Sequence, residues 1–120
     1  MTLREQQSKF ATMTAQLILW CQEQGYEVTL GEAYRTKAQQ EIYVAEGKSQ
    51  TMRSKHLNRL AVDLNLFVAG KYQTSMAAYA PLGAYWTSLD PGCVWGGNWT
   101  SFKDAVHFEF TEVKLPSSNV

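Results

Sequence analysis

A small α+β fold, with helices packed on one face of a mainly antiparallel sheet, is predicted by three features of this sequence. Apolar residues recur at helical spacing near the start of the chain. Two later segments alternate between apolar and polar residues with the period of a strand. Glycine and proline turns separate these stretches without a repeat or a low-complexity segment.

The elements follow in order. Thr2 and Glu5 have the spacing of a capping box. Phe10, Met13, Leu17, Trp20 and Cys21 then mark one helical face, so a helix is predicted from about residue 4 to 24, closed by Gly25. Tyr26, Val28 and Leu30 alternate as a strand. Thr36 and Gln39 repeat the capping-box pattern before a helix ending at Glu46, with Gly47 as its stop. Residues 48–55 are polar and aperiodic and read as a loop. Residues 61–67 read as a strand, Gly70-Lys71 as a turn, and Pro81 as the first position of a short helix carrying Leu82, Tyr85, Trp86 and Leu89. Asp90-Pro91-Gly92 is a turn, and residues 106–110 are the last strand. The residues after Pro116 are expected to be a loose tail, and residues 1–120 a single domain.

Composition narrows the function. Hydrophobic residues make up 45% and charged residues 18% of the 120 positions, an ordinary globular balance. The net charge is zero with neutral histidines, which provides no electrostatic footprint for nucleic acid or an anionic surface. No apolar run reaches the roughly 20 residues a membrane span needs, and no secretory signal is visible, so synthesis in a cytoplasm is expected. Cys21 and Cys93 have no metal-binding spacing; Cys21 reads as a buried thiol on the helix, and a disulfide between the two stays open.

The chemistry lies on the polar faces of the two strong strands. Successive side chains of a strand point to opposite sides. Val62, Leu64 and Leu66 therefore share a core face and turn Asp63 and Asn65 away from it. Val106, Phe108 and Phe110 do the same for His107 and Glu109. If the strands are neighbours, Asp63 and His107 can reach one ion, and the loop carrying His56 can fold back to join them. Two imidazoles and a carboxylate with a fourth position open describe a catalytic zinc site. Asp104, three residues before His107, is the candidate general base if a tight turn enters the strand. The competing reading is two surface histidines beside solvated carboxylates.

The segment Ser54-Lys55-His56-Leu57-Asn58-Arg59-Leu60-Ala61-Val62-Asp63 resembles the S-x-H-x-x-G-x-A-x-D motif of a zinc metallopeptidase family. That family holds the D-alanyl-D-alanine carboxypeptidases of VanY type, the related D,D-dipeptidases and the L-alanyl-D-glutamate endopeptidases of phage lysins. Asp104-Ala105-Val106-His107-Phe108-Glu109 is similar to its second motif, and Tyr34-Arg35-Thr36 with Gln40 to an upstream element. Trp95-Gly96-Gly97-Asn98-Trp99 resembles the Trp-Gly-Gly-Asp-Trp stretch of the phage-type members.

The resemblance implies one Zn²⁺ per chain on His56, Asp63 and His107, on the sheet face opposite the helices, and Asp104 as the base. It implies that Arg35 holds the scissile carbonyl oxygen or a substrate carboxylate and that Ser54 positions substrate or His56. Glu109 and Asn65 would orient the ligands, with a solvated sheet face as the equal alternative. The implied partner is a peptidoglycan stem peptide, met by a monomer after release to the cell wall. A lysin-type endopeptidase is expected, with a D-alanyl-D-alanine carboxypeptidase or dipeptidase, or a non-catalytic zinc module, as alternatives. Two positions depart from the pattern: Arg59 stands where the family has Gly, a costly exchange if the backbone there needs a positive φ, and Asn98 stands where the phage type has Asp. Trp95 and Trp99 are expected as core or cleft wall.

Overall fold

The chain begins with a reciprocal cap. In this computed structural model, which describes residues 1–49, 51 and 53–113, the Thr2 hydroxyl accepts from the Glu5 amide and the Glu5 carboxylate accepts from the Thr2 amide. Helix α1 (Leu3–Glu23) follows, burying Phe10, Met13, Leu17 and Cys21 along one stripe. Strand β1 (Glu27–Leu30), helix α2 (Lys37–Ala45), a 3₁₀ turn (Lys55–Asn58) and strand β2 (Ala61–Val68) come next. Strand β3 (Lys71–Gln73), helix α3 (Met76–Leu89), strand β4 (Cys93–Trp95), a second 3₁₀ turn (Gly96–Asn98) and strand β5 (His107–Phe110) complete the order. The expected tail after Pro116 lies outside the described residues.

The sheet is antiparallel, in the order β1-β2-β5-β4, with β3 pairing the far end of β2. Helices α1 and α3 cover one face. Val62, Leu64, Leu66, Phe108 and Phe110 from the sheet, with Leu60 just before β2, meet Phe10, Leu17, Tyr79, Leu82 and Trp86 there in one apolar core. This is the face that strand alternation assigns to the core. Helix α2 differs from its two companions: its buried side chain is the polar Gln40.

One expectation needs correction. Pro81 does not open α3 but lies inside it; Ser75 is the cap, its hydroxyl accepting from the Ala78 amide. A serine three residues ahead of a free amide outcompetes a proline as a start signal, and a proline near the first turn of a helix removes few hydrogen bonds. Leu30 shares the strand phase of Val28 yet is 67% exposed, so only part of β1 packs against the core. The short strands β3 and β4, three residues each, follow the turns at Gly70-Lys71 and Asp90-Pro91-Gly92 and are elements that the sequence pattern does not assign. Cys21 and Cys93 are both buried and free. Burial pushes their thiols up to about 11 and about 12 respectively, so neither is a nucleophile at neutral pH.

A candidate metal centre

The centre is assembled on paired strands. Asp63 of β2 and His107 of β5 are direct cross-strand partners. Their phase, set by the apolar residues on either side, turns both away from the core. His56 arrives from the 3₁₀ turn before β2. That turn is capped by Ser54, whose hydroxyl accepts from the His56 amide at 3.3 Å. It closes at Arg59 with φ 56° and ψ 37°, a left-handed conformation. The positive φ that the Gly-to-Arg departure raised is therefore present. The Arg59 guanidinium sits 4.0 Å from the centre of the Tyr34 ring, a cation–π contact that offsets part of the strain.

Three donor atoms, one each from His56, Asp63 and His107, lie within 4.8 Å of one another. His56 is 1% exposed and His107 is 5% exposed. The His56 Nδ1 faces the Ala33 carbonyl at 3.1 Å, and a carbonyl only accepts, so this nitrogen carries the proton and Nε2 offers its lone pair. The His107 Nε2 likewise faces the Glu109 carboxylate at 2.7 Å, leaving Nδ1 toward Asp63 at 3.4 Å. His56 Nε2 and Asp63 Oδ1 are 3.2 Å apart, but neither buried atom has a hydrogen-bond partner among the described residues. Buried polar atoms are rarely left this way. Two nitrogens and an oxygen converging without satisfying each other are what a divalent cation of zinc type would fill, and Ala33 and Glu109 are the outer partners such a site uses.

Electrostatics agree with that geometry. Burial works against the charged forms of Asp63 and His107, but their mutual contact, with His56 and Glu109 beside them, outweighs it. In the metal-free protein Asp63 is held down to about 2 and His107 is raised to about 9. Asp104 moves the other way. Burial, then the negative charge of Asp63, raises its carboxyl above the ordinary value.

Asp104 reaches the centre through a tight turn. The His107 amide donates to the Asp104 carbonyl at 3.3 Å, the turn anticipated from the three-residue spacing. Gly96 packs into it. A β-carbon on Gly96 would stand 2.3 Å from the Asp104 carbonyl oxygen and 3.0 Å from the His107 β-carbon. Gly31 presses similarly on Asp63, and its amide donates to the Asp63 carbonyl at 2.8 Å.

His56, Asp104 and His107 line a cleft of about 460 Å³ together with Arg35, Ser54, Trp99 and Glu109. Arg35 Nη1 donates to Gln40 Oε1 at 2.6 Å and to Ser54 Oγ at 3.3 Å. Its Nε donates to Glu32, and its guanidinium lies 4.7 Å from the centre of the Tyr43 ring. Trp99 stands as a cleft wall, its ring 4.9 Å from that of His107. Trp95 is core, its indole donating to the Ala105 carbonyl at 2.7 Å. Asn65 does not join the site; it donates to Thr29 at 3.2 Å. Sequence reasoning passed over Glu32 and Tyr43, whose only signal was the Glu-x-x-Arg spacing outside a helix.

Known proteins match this chain in sequence and fold. A peptidase M15 family model described as D-alanyl-D-alanine carboxypeptidase matches residues 47–110, a stretch that includes His56, Asp63, Asp104 and His107. The L-alanyl-D-glutamate peptidase of Listeria phage A118 is 38% identical over 103 residues, covering 78% of this chain and 34% of that protein. The chain thus spans about a third of the length of this curated relative. The solved L-Ala D-Glu endopeptidase ChiX of Serratia marcescens is 33% identical with a TM-score of 0.62, over 70% of this chain and 66% of that one. A variant of the vancomycin-resistance D,D-pentapeptidase VanY, solved with Zn(II), shares the fold with a TM-score of 0.57 at 20% identity, over 85% of this chain and 70% of that one. Since the family model covers more than half of the residues, including the strand pair and the loop that build the centre, the chain belongs to the D-alanyl-D-alanine carboxypeptidase family of M15 peptidases.

Proposed function

We propose that this chain is a zinc-dependent peptidase that hydrolyses peptidoglycan stem peptides, cutting between L-alanine and D-glutamate as phage lysins do. The observation that carries the reading is the pair of buried, unpartnered atoms, His56 Nε2 and Asp63 Oδ1, converging with His107 Nδ1 beside Asp104 in an open cleft. His56, Asp63 and His107 would hold the zinc. When bound, the ion supplies a positive charge that acidifies water and polarises a carbonyl.

The rest is work for side chains. Asp104, its carboxyl raised by burial, accepts a proton from the attacking water and returns it to the leaving amine. Arg35 donates to the carbonyl oxygen as charge grows there. Ser54 ties the two regions together, since its hydroxyl contacts both Arg35 and the His56 amide. Ala33 and Glu109 keep the imidazoles in the tautomers that leave His56 Nε2 and His107 Nδ1 free. Trp99 shields one side of His107 from bulk water. Action on the wall after release from the host cell accords with the phage relative.

The test is mass spectrometry of fragments released from purified peptidoglycan by the zinc-loaded protein. Stem peptides beginning with D-glutamate are expected. Release of terminal D-alanine alone would instead favour the carboxypeptidase reading, which the description of the family model supports. No release from folded, zinc-loaded protein would leave a non-catalytic zinc module.

A further inference from the structure

We propose that Glu32 is a positioning residue that sets the guanidinium of Arg35 for the reaction, acting with Gln40 and Tyr43 as its clamp. The inference rests on the proposed peptidase function.

Arg35 is gripped on several sides. Its side chain is 11% exposed although it lines an open cleft. Nε is held by one oxygen of Glu32, and Nη1 by Gln40 and Ser54. The other oxygen of Glu32 accepts from the Tyr43 hydroxyl at 3.1 Å, while the Tyr43 ring lies against the guanidinium. Gln40 is fully buried and itself fixed, its amide donating to Ser49 at 2.8 Å and to the Thr51 carbonyl. Nη2 is left without a protein partner among the described residues, as a group reserved for substrate would be.

Glu32 also couples this clamp to the metal centre. Its backbone carbonyl accepts from the Asp63 amide at 2.8 Å, and the Arg35 amide donates to the His56 carbonyl at 3.2 Å. One residue therefore links the strand that carries Asp63 to the side chain that faces substrate. A flexible, solvated arginine would have to be ordered in each turnover, whereas a clamped one meets the growing charge already aligned. A carboxylate is needed on the Nε edge because it orients the planar fork, which an uncharged acceptor does less firmly.

A double-mutant cycle on the full, zinc-loaded chain tests this with a soluble stem peptide at high enzyme concentration. Glu32→Gln keeps shape and backbone contact with Asp63. It is expected to lower kcat about 10- to 100-fold with little change in KM. Zinc content and the unfolding midpoint should stay close to wild type. In an Arg35→Ala background the same substitution should have no further effect. Should Glu32→Gln fail to fold, Tyr43→Phe removes the second contact of Glu32 and should give a smaller loss that also vanishes in that background. Losses that multiply independently, a change confined to KM, or unchanged kcat would overturn the inference while the proposed function stands. Absence of hydrolysis by zinc-loaded wild-type protein would overturn the proposed function, and the inference with it.

Discussion

At the scale of single residues, the centre separates holding from reacting. His107 offers Nδ1 to the shared point and is oriented by Glu109, so His107→Ala should lose both zinc and turnover. Asp104 lines the cleft without belonging to the three-donor cluster. Asp104→Ala should therefore abolish hydrolysis while metal analysis still finds one zinc per chain. Full activity in that variant would remove Asp104 from the role of base. Arg59 offers a different test. A non-glycine residue in the left-handed region costs on the order of 1–2 kcal/mol, and the contact with Tyr34 returns about 0.5–1 kcal/mol at an exposed site. Arg59→Ala keeps the strain and loses the contact, so it should lower stability by about that returned amount. Arg59→Gly removes both and should unfold within roughly 1 kcal/mol of wild type. Denaturant titration of the three proteins separates them, and an alanine variant as stable as wild type would mean that the ring contact contributes nothing.

At the scale of elements, legibility followed periodicity. Strands β2 and β5 were readable because alternation over five or more residues places Val62, Leu64, Phe108 and Phe110 on one side and Asp63 and His107 on the other. His56 was readable only through its loop and the family resemblance. Strands β3 and β4 are too short to show a period. The clamp on Arg35 joins residues from three separate segments by hydrogen bonds, and no spacing encodes that. One such contact repairs the sheet itself. The Tyr79 hydroxyl of α3 accepts from the Leu66 amide at 2.9 Å and donates to the Leu64 carbonyl at 3.0 Å. These groups lie on the edge of β2 between the end of the β5 ladder and the start of β3. Tyr79→Phe would strand two buried backbone groups and should cost about 1–3 kcal/mol in equilibrium unfolding. A loss below a few tenths of a kcal/mol would show that water satisfies them instead.

At the scale of the whole molecule, the apolar core and the polar centre occupy opposite faces of one sheet, so the fold does not depend on the metal for its interior. Chelation should end hydrolysis and leave a folded protein with a lower unfolding midpoint, as mass action requires for a ligand bound only by the native state. The size of that gap should depend on pH. In the metal-free protein His107 is raised from 6.5 to about 9 by Asp63 and Glu109 against the opposing effect of burial. A raised histidine contributes stability that is complete below 6.5 and is lost as pH climbs through about 9. Asp63, lowered from 3.8 to about 2, contributes stability present above 3.8 and lost as pH falls through about 2. The metal-free protein is thus favoured by these two groups between 3.8 and 6.5 and weakens above that window. Zinc needs the unprotonated imidazole, so over the same rise it competes with one proton fewer, and its affinity should increase about tenfold per pH unit until His107 has titrated. Melting curves of zinc-loaded and chelated protein should therefore diverge between 6.5 and about 9 and run parallel beyond it. A constant gap across that interval would mean that no proton leaves His107 on binding, and that its imidazole is already neutral in the metal-free protein.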